Sequence, residues 1–349
     1  MTVFNKEGAS LEVTLRLARS DDAPRLIALM KKQHGSAYMP SFYQEDWLRG
    51  NIENKVLRIV LAELAGGGAA GMGGLDAGGL FPGSLVLILL TIGLPLRGFG
   101  ISTHIHQFLL QTAATDPSYT CIYAYCMTLD TISQTLNRRF GSTMTGLVLN
   151  RYFYDTRAEN YAGLSLPLKR SHVIACLPQA KKDAGLLHVP PAYTAYVSDI
   201  YKSLGVSCRL REAAQGEWNA AQPPAQSVLR MIHREQDRYC EIYVQRAGPD
   251  FTDILEGTLG EYAGREQQTF NAFINMNDPG APGASGVLES RGFFFTGVQP
   301  LSGEYEYMIF HYSASLPVPF DKITVIPEFK EKFEWIQQRC EEARHGRAN

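Results

Sequence analysis

Two short stretches 151 positions apart constrain this chain more than any other feature. Gly141-Ser-Thr-Met-Thr145-Gly146-Leu147 is matched by Gly292-Phe-Phe-Phe-Thr296-Gly297-Val298. A β-rich run lies upstream of each: Thr120-Cys-Ile-Tyr-Ala-Tyr-Cys-Met leads to Asp130, and Thr269-Phe-Asn-Ala-Phe-Ile-Asn-Met leads to Asp278. A tyrosine-rich strand candidate lies downstream of each, Leu147–Tyr154 and Tyr305–Tyr312. Three matches in the same order predict a duplicated unit of about 150 residues. A chain of 349 residues has room for two of them.

The copies are expected at 1–160 and 201–349. A linker is expected at 161–200, where Pro167, Pro178, Pro190 and Pro191 remove backbone donors that element interiors need. Flexible segments are expected at Ala65–Gly83, which holds nine glycines, and at Asn277–Ser285. In the first copy, Leu11–Ala18 reads as a strand and Ser20 as the cap of a helix with Leu26, Ile27 and Met30 on one face. Strands at Val56–Leu64, Ala69–Leu75 and Ser84–Ile92 follow. Then come a helix over Gly100–Ala113, a strand over Thr120–Met127, a helix over Thr131–Phe140 and a strand over Thr143–Asn150. This pattern predicts an α/β chain with a mixed sheet covered by helices.

Composition excludes several classes. Hydrophobic residues make up 45% and charged residues 19%, enough for a sizeable core. A formal net charge of −2 lacks the basic bias of a nucleic-acid binder. The longest apolar run, Leu85–Leu96, is too short to cross a bilayer, and the first residues carry no secretory signal. Six cysteines without a CxxC pair fit a reduced, cytoplasmic protein.

The segment that carries chemistry is Thr91-Ile-Gly-Leu-Pro-Leu-Arg97-Gly98-Phe99-Gly100-Ile101-Ser102-Thr103. A buried strand runs into an Arg-Gly-x-Gly loop, and an amphipathic helix starts there. The glycines let successive N–H groups face outward, the helix start adds unpaired N–H groups, and Arg97 adds a cation. Together they suit a pyrophosphate.

Here the sequence resembles the GNAT superfamily of acyl-CoA-dependent N-acetyltransferases, whose pyrophosphate loop reads Arg/Gln-x-x-Gly-x-Gly/Ala between the fourth strand and the third helix. Arg97-Gly-Phe-Gly100-Ile-Ser102 fits, with Ser102 in place of the last glycine or alanine. The resemblance covers about residues 11–150 and implies several roles. Backbone at Ile92, Gly93 and Leu94 would pair with the pantetheine arm of acetyl-CoA. A backbone N–H near Ile92 would polarise the thioester carbonyl. Arg97, Gly98, Phe99, Gly100, Ser102 and Thr103 would hold the pyrophosphate.

The acid–base apparatus departs from the family. Asn137 stands where many members carry a tyrosine acid, Ser84–Ile92 lacks the glutamate base, and Asp130 replaces an asparagine. Candidate replacements are Asp76, Asp130, His104 and His106. Asp76 reads more readily as a turn residue, and Asp130 equally as a helix cap. The two histidines read as a solvated surface pair. Tyr38 and Tyr43, in an aromatic stretch after the first helix, could wall the acceptor and supply the missing acid. The second copy has Arg246-Ala-Gly-Pro-Asp250 in place of the loop and is expected to keep the sheet without binding CoA. Its C-terminal segment, Pro327–Ala343, reads as an amphipathic helix that docks on the body. Gly66-Gly-Gly68-Ala-Ala-Gly71 matches a dinucleotide fingerprint but lacks the following helix, and a hairpin turn explains it better.

The expected reaction is transfer of acetyl from acetyl-CoA to a primary amine of a small molecule, by direct attack and without a metal. The competing reading is a catalytically silent CoA-binding or scaffold module. The expected assembly is a monomer or homodimer, with no nucleic-acid or membrane partner.

Overall fold

The computed structural model describes residues 1–35, 38–79, 81–180, 183–213 and 226–348. The chain divides into two compact units, residues 1–124 with 153–166 and residues 125–152 with 167–349. The division does not follow the repeat.

In the first unit, β1 (Thr2–Phe4) and β2 (Ser10–Leu17) precede α1 (Ala23–His34) and α2 (Glu45–Glu53). Then come β3 (Leu57–Leu64), β4 (Ala69–Asp76), β5 (Ser84–Ile92), α3 (Ile101–Ala114) and the start of β6 (Cys121–Met127). The strands lie in the order β1-β2-β3-β4-β5-β6, antiparallel up to β5, and β5 pairs with β6 in parallel. The expected flexible segment at 65–83 instead contains β4. Its glycines lie under α3, where Ile105 and Leu109 occupy the space a side chain on Gly73 would need. The tight turn at Leu64–Gly68 is the hairpin expected there, with Leu64 donating to the Gly68 carbonyl.

Helix α1 buries Leu26, Ile27 and Met30 against Phe42, Leu48, Leu61 and Met72. Its start is fixed by Asp22 and not by Ser20. The Asp22 carboxylate accepts the Arg19 N–H at 2.8 Å and pairs with Arg16 at 2.6 Å. Ser20 lies inside a 3-10 turn that leads into the helix.

In the second unit, α4 (Ile132–Arg139), β7 (Thr143–Phe153) and β8 (Lys169–Pro178) complete the first run of elements. They are followed by β9 (Asp183–Val189), α5 (Pro191–Leu204), β10 (Ser207–Glu212), β11 (Val228–Arg234), β12 (Tyr239–Arg246) and α6 (Phe251–Glu261). Last come β13 (Thr269–Asn275), α7 (Ala281–Ser290), β14 (Phe294–Ser302), β15 (Tyr305–Ser313) and α8 (Pro327–Ala348). The sheet order here is β8-β7-β14-β15-β13-β12-β11, and β9 and β10 form a separate parallel pair. The segment 277–285, expected to be flexible, enters α7, where Ala281, Ala284 and Ser285 are buried.

The element order repeats. From β2 to β8 it runs strand, two helices, three strands, helix, strand, helix, two strands. From β9 to β15 it runs the same way with one helix where the first run has α1 and α2. Residues 161–200, expected as a linker, instead hold β8, β9 and most of α5, because the prolines there end strands or open α5 at Pro191. Helix α8 docks on β14 as expected, burying Phe329, Ile336 and Cys340, with Trp335 edge-on to Phe295.

Buried polar groups bind the second unit together. Arg151 of β7 pairs with Glu241 of β12 at 2.7 Å. Tyr239 and Tyr243 donate to the same carboxylate at 2.8 and 3.0 Å. The Arg151 guanidinium lies over the rings of Tyr125 and Tyr152. Asn271 and Thr269 of β13 donate to the carbonyls of Leu149 and Asn150.

Candidate functional site

Strand β5 carries the site because its two edges differ. Pairing with β6 runs from Ser84↔Cys121 to Leu87↔Ala124 and stops. On the β4 side it continues, with Ile88 opposite Gly74 and Ile92 opposite Gly71. Between these, Leu89 sits at φ +57° and the register shifts, which makes a β-bulge. From Ile88 to Ile92, one edge of β5 has no strand partner among the described residues. An extended ligand chain could pair there as an added strand.

Beyond Ile92, a 3-10 turn at Leu94–Leu96 leads into the glycine loop. Gly98 and Gly100 adopt φ +90° and +72°, which side-chain-bearing residues rarely adopt. These reversals leave five consecutive N–H groups, from Gly98 to Ser102, with no acceptor among the described residues. The first in-chain bonds of this helix start come from Thr103 and His104 to the Gly100 carbonyl. A side chain at Gly98 or Gly100 would meet nothing within 4 Å, so the space over the loop is open. Five unpaired donors and the positive end of a fourteen-residue helix make a site for a pyrophosphate.

Arg97 does more than add charge. Its Nε donates to the Ile92 carbonyl at 3.4 Å, and its Nη2 donates to Asn160. The side chain therefore ties the root of the loop to the end of β5 and to the turn at Glu159–Tyr161.

Beside the strand end, His34 Nε2 shares a 2.8 Å hydrogen bond with Thr91 Oγ1. Tyr38 and Tyr161 flank the imidazole at ring-centroid distances of 5.6 and 6.5 Å, and Tyr154 packs edge-on against Tyr161. The Tyr43 hydroxyl accepts the Tyr38 N–H at 3.3 Å. The structure thus gathers Tyr38 and Tyr43 near an imidazole one residue from Ile92. Neither His34 nor Thr91 stood out in the sequence, because they lie 57 residues apart with no local motif to join them.

Other candidates stand elsewhere. Asp76 faces Val86 in the β4–β5 register, six positions along β5 from Ile92 and so about 20 Å away. Its carboxylate accepts the Gly78 N–H at 2.8 Å, and burial raises its pKa above the ordinary value. Asp130 is exposed in the second unit and accepts the Ile132 N–H at 2.9 Å, as a cap for α4. Asn137 is buried and donates to the Ser133 carbonyl and to Cys126 Sγ. His106 is not a surface residue: it is 1% exposed, and burial lowers its pKa to about 4. The face of α3 that buries Ile105 and Leu109 also carries His106 inward.

The second copy lacks both halves of this arrangement. Strands β12 and β13 stay paired from Tyr239↔Thr269 to Val244↔Ile274. The loop after β12 has its amides taken by side chains: Ala247 donates to Asp278 at 2.8 Å and Gly248 to Ser227 Oγ at 2.9 Å. Asp250 in turn accepts from the Ser227 N–H and hydroxyl. The chain's own carboxylates and hydroxyl hold the places an anion would take.

Among the described residues, no group of three or more His, Cys, Asp or Glu is placed to hold a metal ion. No described helix is long and apolar enough to cross a membrane.

No family model matches the sequence. No curated protein matches it either. Among solved structures, a putative acetyltransferase from Acinetobacter baylyi is 15% identical, covering 49% of this chain and 94% of its own, with a TM-score of 0.40. An N-acetyltransferase from Staphylococcus aureus is 16% identical, covering 48% of this chain and 99% of its own, with a TM-score of 0.39. A spermidine N-acetyltransferase from Vibrio cholerae, solved with CoA and spermine, is 16% identical, covering 48% of this chain and 95% of its own, with a TM-score of 0.38. Each is a protein that this chain resembles over about half its length.

Proposed function

We propose that this chain is an acyl-CoA-dependent N-acyltransferase of the GNAT kind, moving an acetyl group from acetyl-CoA to a primary amine of a small molecule. The observation that carries this reading is the run of five unpartnered N–H groups, Gly98–Ser102, beside the unpaired edge of β5. Phosphates would rest on those amides and on Thr103. The pantetheine arm would pair along Ile92, Gly93 and Leu94. The two reactants held side by side need no covalent enzyme intermediate.

In the reaction, the amine nitrogen attacks the thioester carbonyl, the C–S bond breaks, and the thiolate leaves. An alkyl ammonium with a pKa near 10 must first lose a proton. Of the side chains by the strand end, His34 suits that task. Tyr38 and Tyr43 are the phenols available to protonate the thiolate. The aromatic wall of Tyr38, Tyr154 and Tyr161 suits an amine with an apolar or aromatic body. Asp76 and Asp130 play no part in this scheme. The second copy would serve as a packing partner in a tandem pair, within a cytoplasmic monomer or homodimer.

A second reading has its own support. Asn137 cannot donate a full proton, and β5 carries no carboxylate, so a catalytically silent CoA-binding module would have the same loop. Isothermal titration with acetyl-CoA tests the shared premise. Binding that an Arg97→Ala, Gly100→Val variant loses supports both readings, and acetyl transfer to any of a panel of amines then supports the enzyme. No binding by the unaltered chain overturns both.

A further inference from the structure

A cavity of about 350 Å³ opens at the ends of β12 and β13, where the second copy's loop has filled its own amides. Val228, Arg246, Asn275, Asn277, Asp278 and Tyr305 line it. Its volume falls in the range of small-ligand pockets, which lies between about 300 and 1,000 Å³.

Arg246 and Asp278 are the two charged residues of this lining. Arg246 is exposed, and its guanidinium makes no hydrogen bond or ion pair among the described residues. Asn277 uses its amide nitrogen on the Ala184 carbonyl at 2.9 Å, but its Oδ1 is shut off from solvent with no donor. Asp278 is 7% exposed, and its Oδ2 is engaged by the Ala247 N–H. Val228, opposite Arg246 across the β11–β12 pair, and the Tyr305 ring supply apolar walls.

We propose that this cavity binds a small zwitterion, an amino acid or a comparable aminocarboxylate. Its carboxylate sits against Arg246, and its ammonium sits against the Asp278 carboxylate. A phosphate ester is a poor fit, because Asp278 and Asp250 already occupy the amide donors nearby. The inference does not depend on acyl-CoA binding in the first copy.

Titration calorimetry of the full chain with each of the twenty common amino acids, β-alanine, acetate and methylamine tests it. Saturable binding of at least one aminocarboxylate is expected, with acetate and methylamine at least tenfold weaker. Arg246→Gln should weaken it at least tenfold, and Val228→Trp should abolish it by filling the cavity. Both sites are at the surface, so the fold survives, and an unchanged urea-denaturation midpoint would verify that. No saturable binding of any aminocarboxylate overturns the proposal. So does binding that both variants leave unchanged, or acetate binding as tightly as the amino acids.

Discussion

Gly146 and Gly297 face each other across the antiparallel contact between β7 and β14. They hold matching places in the stretches Gly141–Leu147 and Gly292–Val298, so two similar segments meet at one point in the second unit. The approach leaves no room for a side chain. A Cβ on Gly146 would lie 2.9 Å from the Gly297 Cα, and one on Gly297 would lie 2.8 Å from the Thr145 carbonyl oxygen. Gly297 also sits at φ +132°.

Gly297→Ala should therefore destabilise the chain by about 2–4 kcal/mol, combining overpacking with backbone strain. Urea denaturation checks this. A midpoint within error of the unaltered chain would mean that the two strands separate freely.

The Arg151–Glu241 pair should behave as a coupled unit. Glu241→Gln or Arg151→Met alone leaves a buried charge without its partner and should cost about 3–5 kcal/mol. The double variant Arg151→Met, Glu241→Gln should recover most of that loss. Additive losses in a double-mutant cycle would refute the coupling.

His106 and Asp22 are two of the groups that make stability fall in acid. His106 binds its proton in the unfolded chain near pH 6.5 but in the folded one only near 4. Its contribution is complete above pH 6.5 and falls by about 1.4 kcal/mol per pH unit as pH drops toward 4. The hydrogen bond from Arg16 holds the Asp22 carboxyl well below the usual carboxylate range. Its contribution is complete above about pH 4 and is lost further down. Denaturation from pH 8 to 4 should show a decline that His106→Gln makes shallower between 6.5 and 4, with burial of His172 and His188 sustaining the rest. A decline that this variant leaves unaltered would remove His106 from the account.

His34→Ala should lower the turnover of acetyl transfer by about 10²–10⁴-fold while acetyl-CoA affinity stays constant. Release of the CoA thiol and calorimetry check the two halves. Equal turnover with and without the imidazole would place the base elsewhere.

Local features were legible in the sequence. The glycine loop, the alternation of strands and helices, and the repeat of Gly141–Leu147 at Gly292–Val298 each rest on neighbouring residues. Features that depend on register were not. Asp76 is drawn in by residue type and removed by the β4–β5 pairing, which places it opposite Val86. His34 and Thr91 meet only because α1 ends over the end of β5. The prolines at 178, 190 and 191 read as a linker, yet they stop β8 and open α5. Proline marks where elements end and says nothing about whether the next one follows at once. His106 looked solvated because a helical face cannot be assigned to a polar residue until its partner layer is known.

Because the first unit is complete by Leu166 while β7 belongs to the second, synthesis and folding of this chain fall out of step. A ribosome has delivered everything the first unit needs about 130 residues before Gly297 emerges. The carbonyls of Leu147, Leu149 and Asn150 must await Thr296, Asn271 and Thr269. At ordinary elongation rates that interval is roughly 7 to 26 seconds. Through most of it, a largely apolar strand has β8 beside it on one edge while β14, its neighbour on the other, is not yet made. Demand for chaperones in the cell should concentrate on residues 143–153.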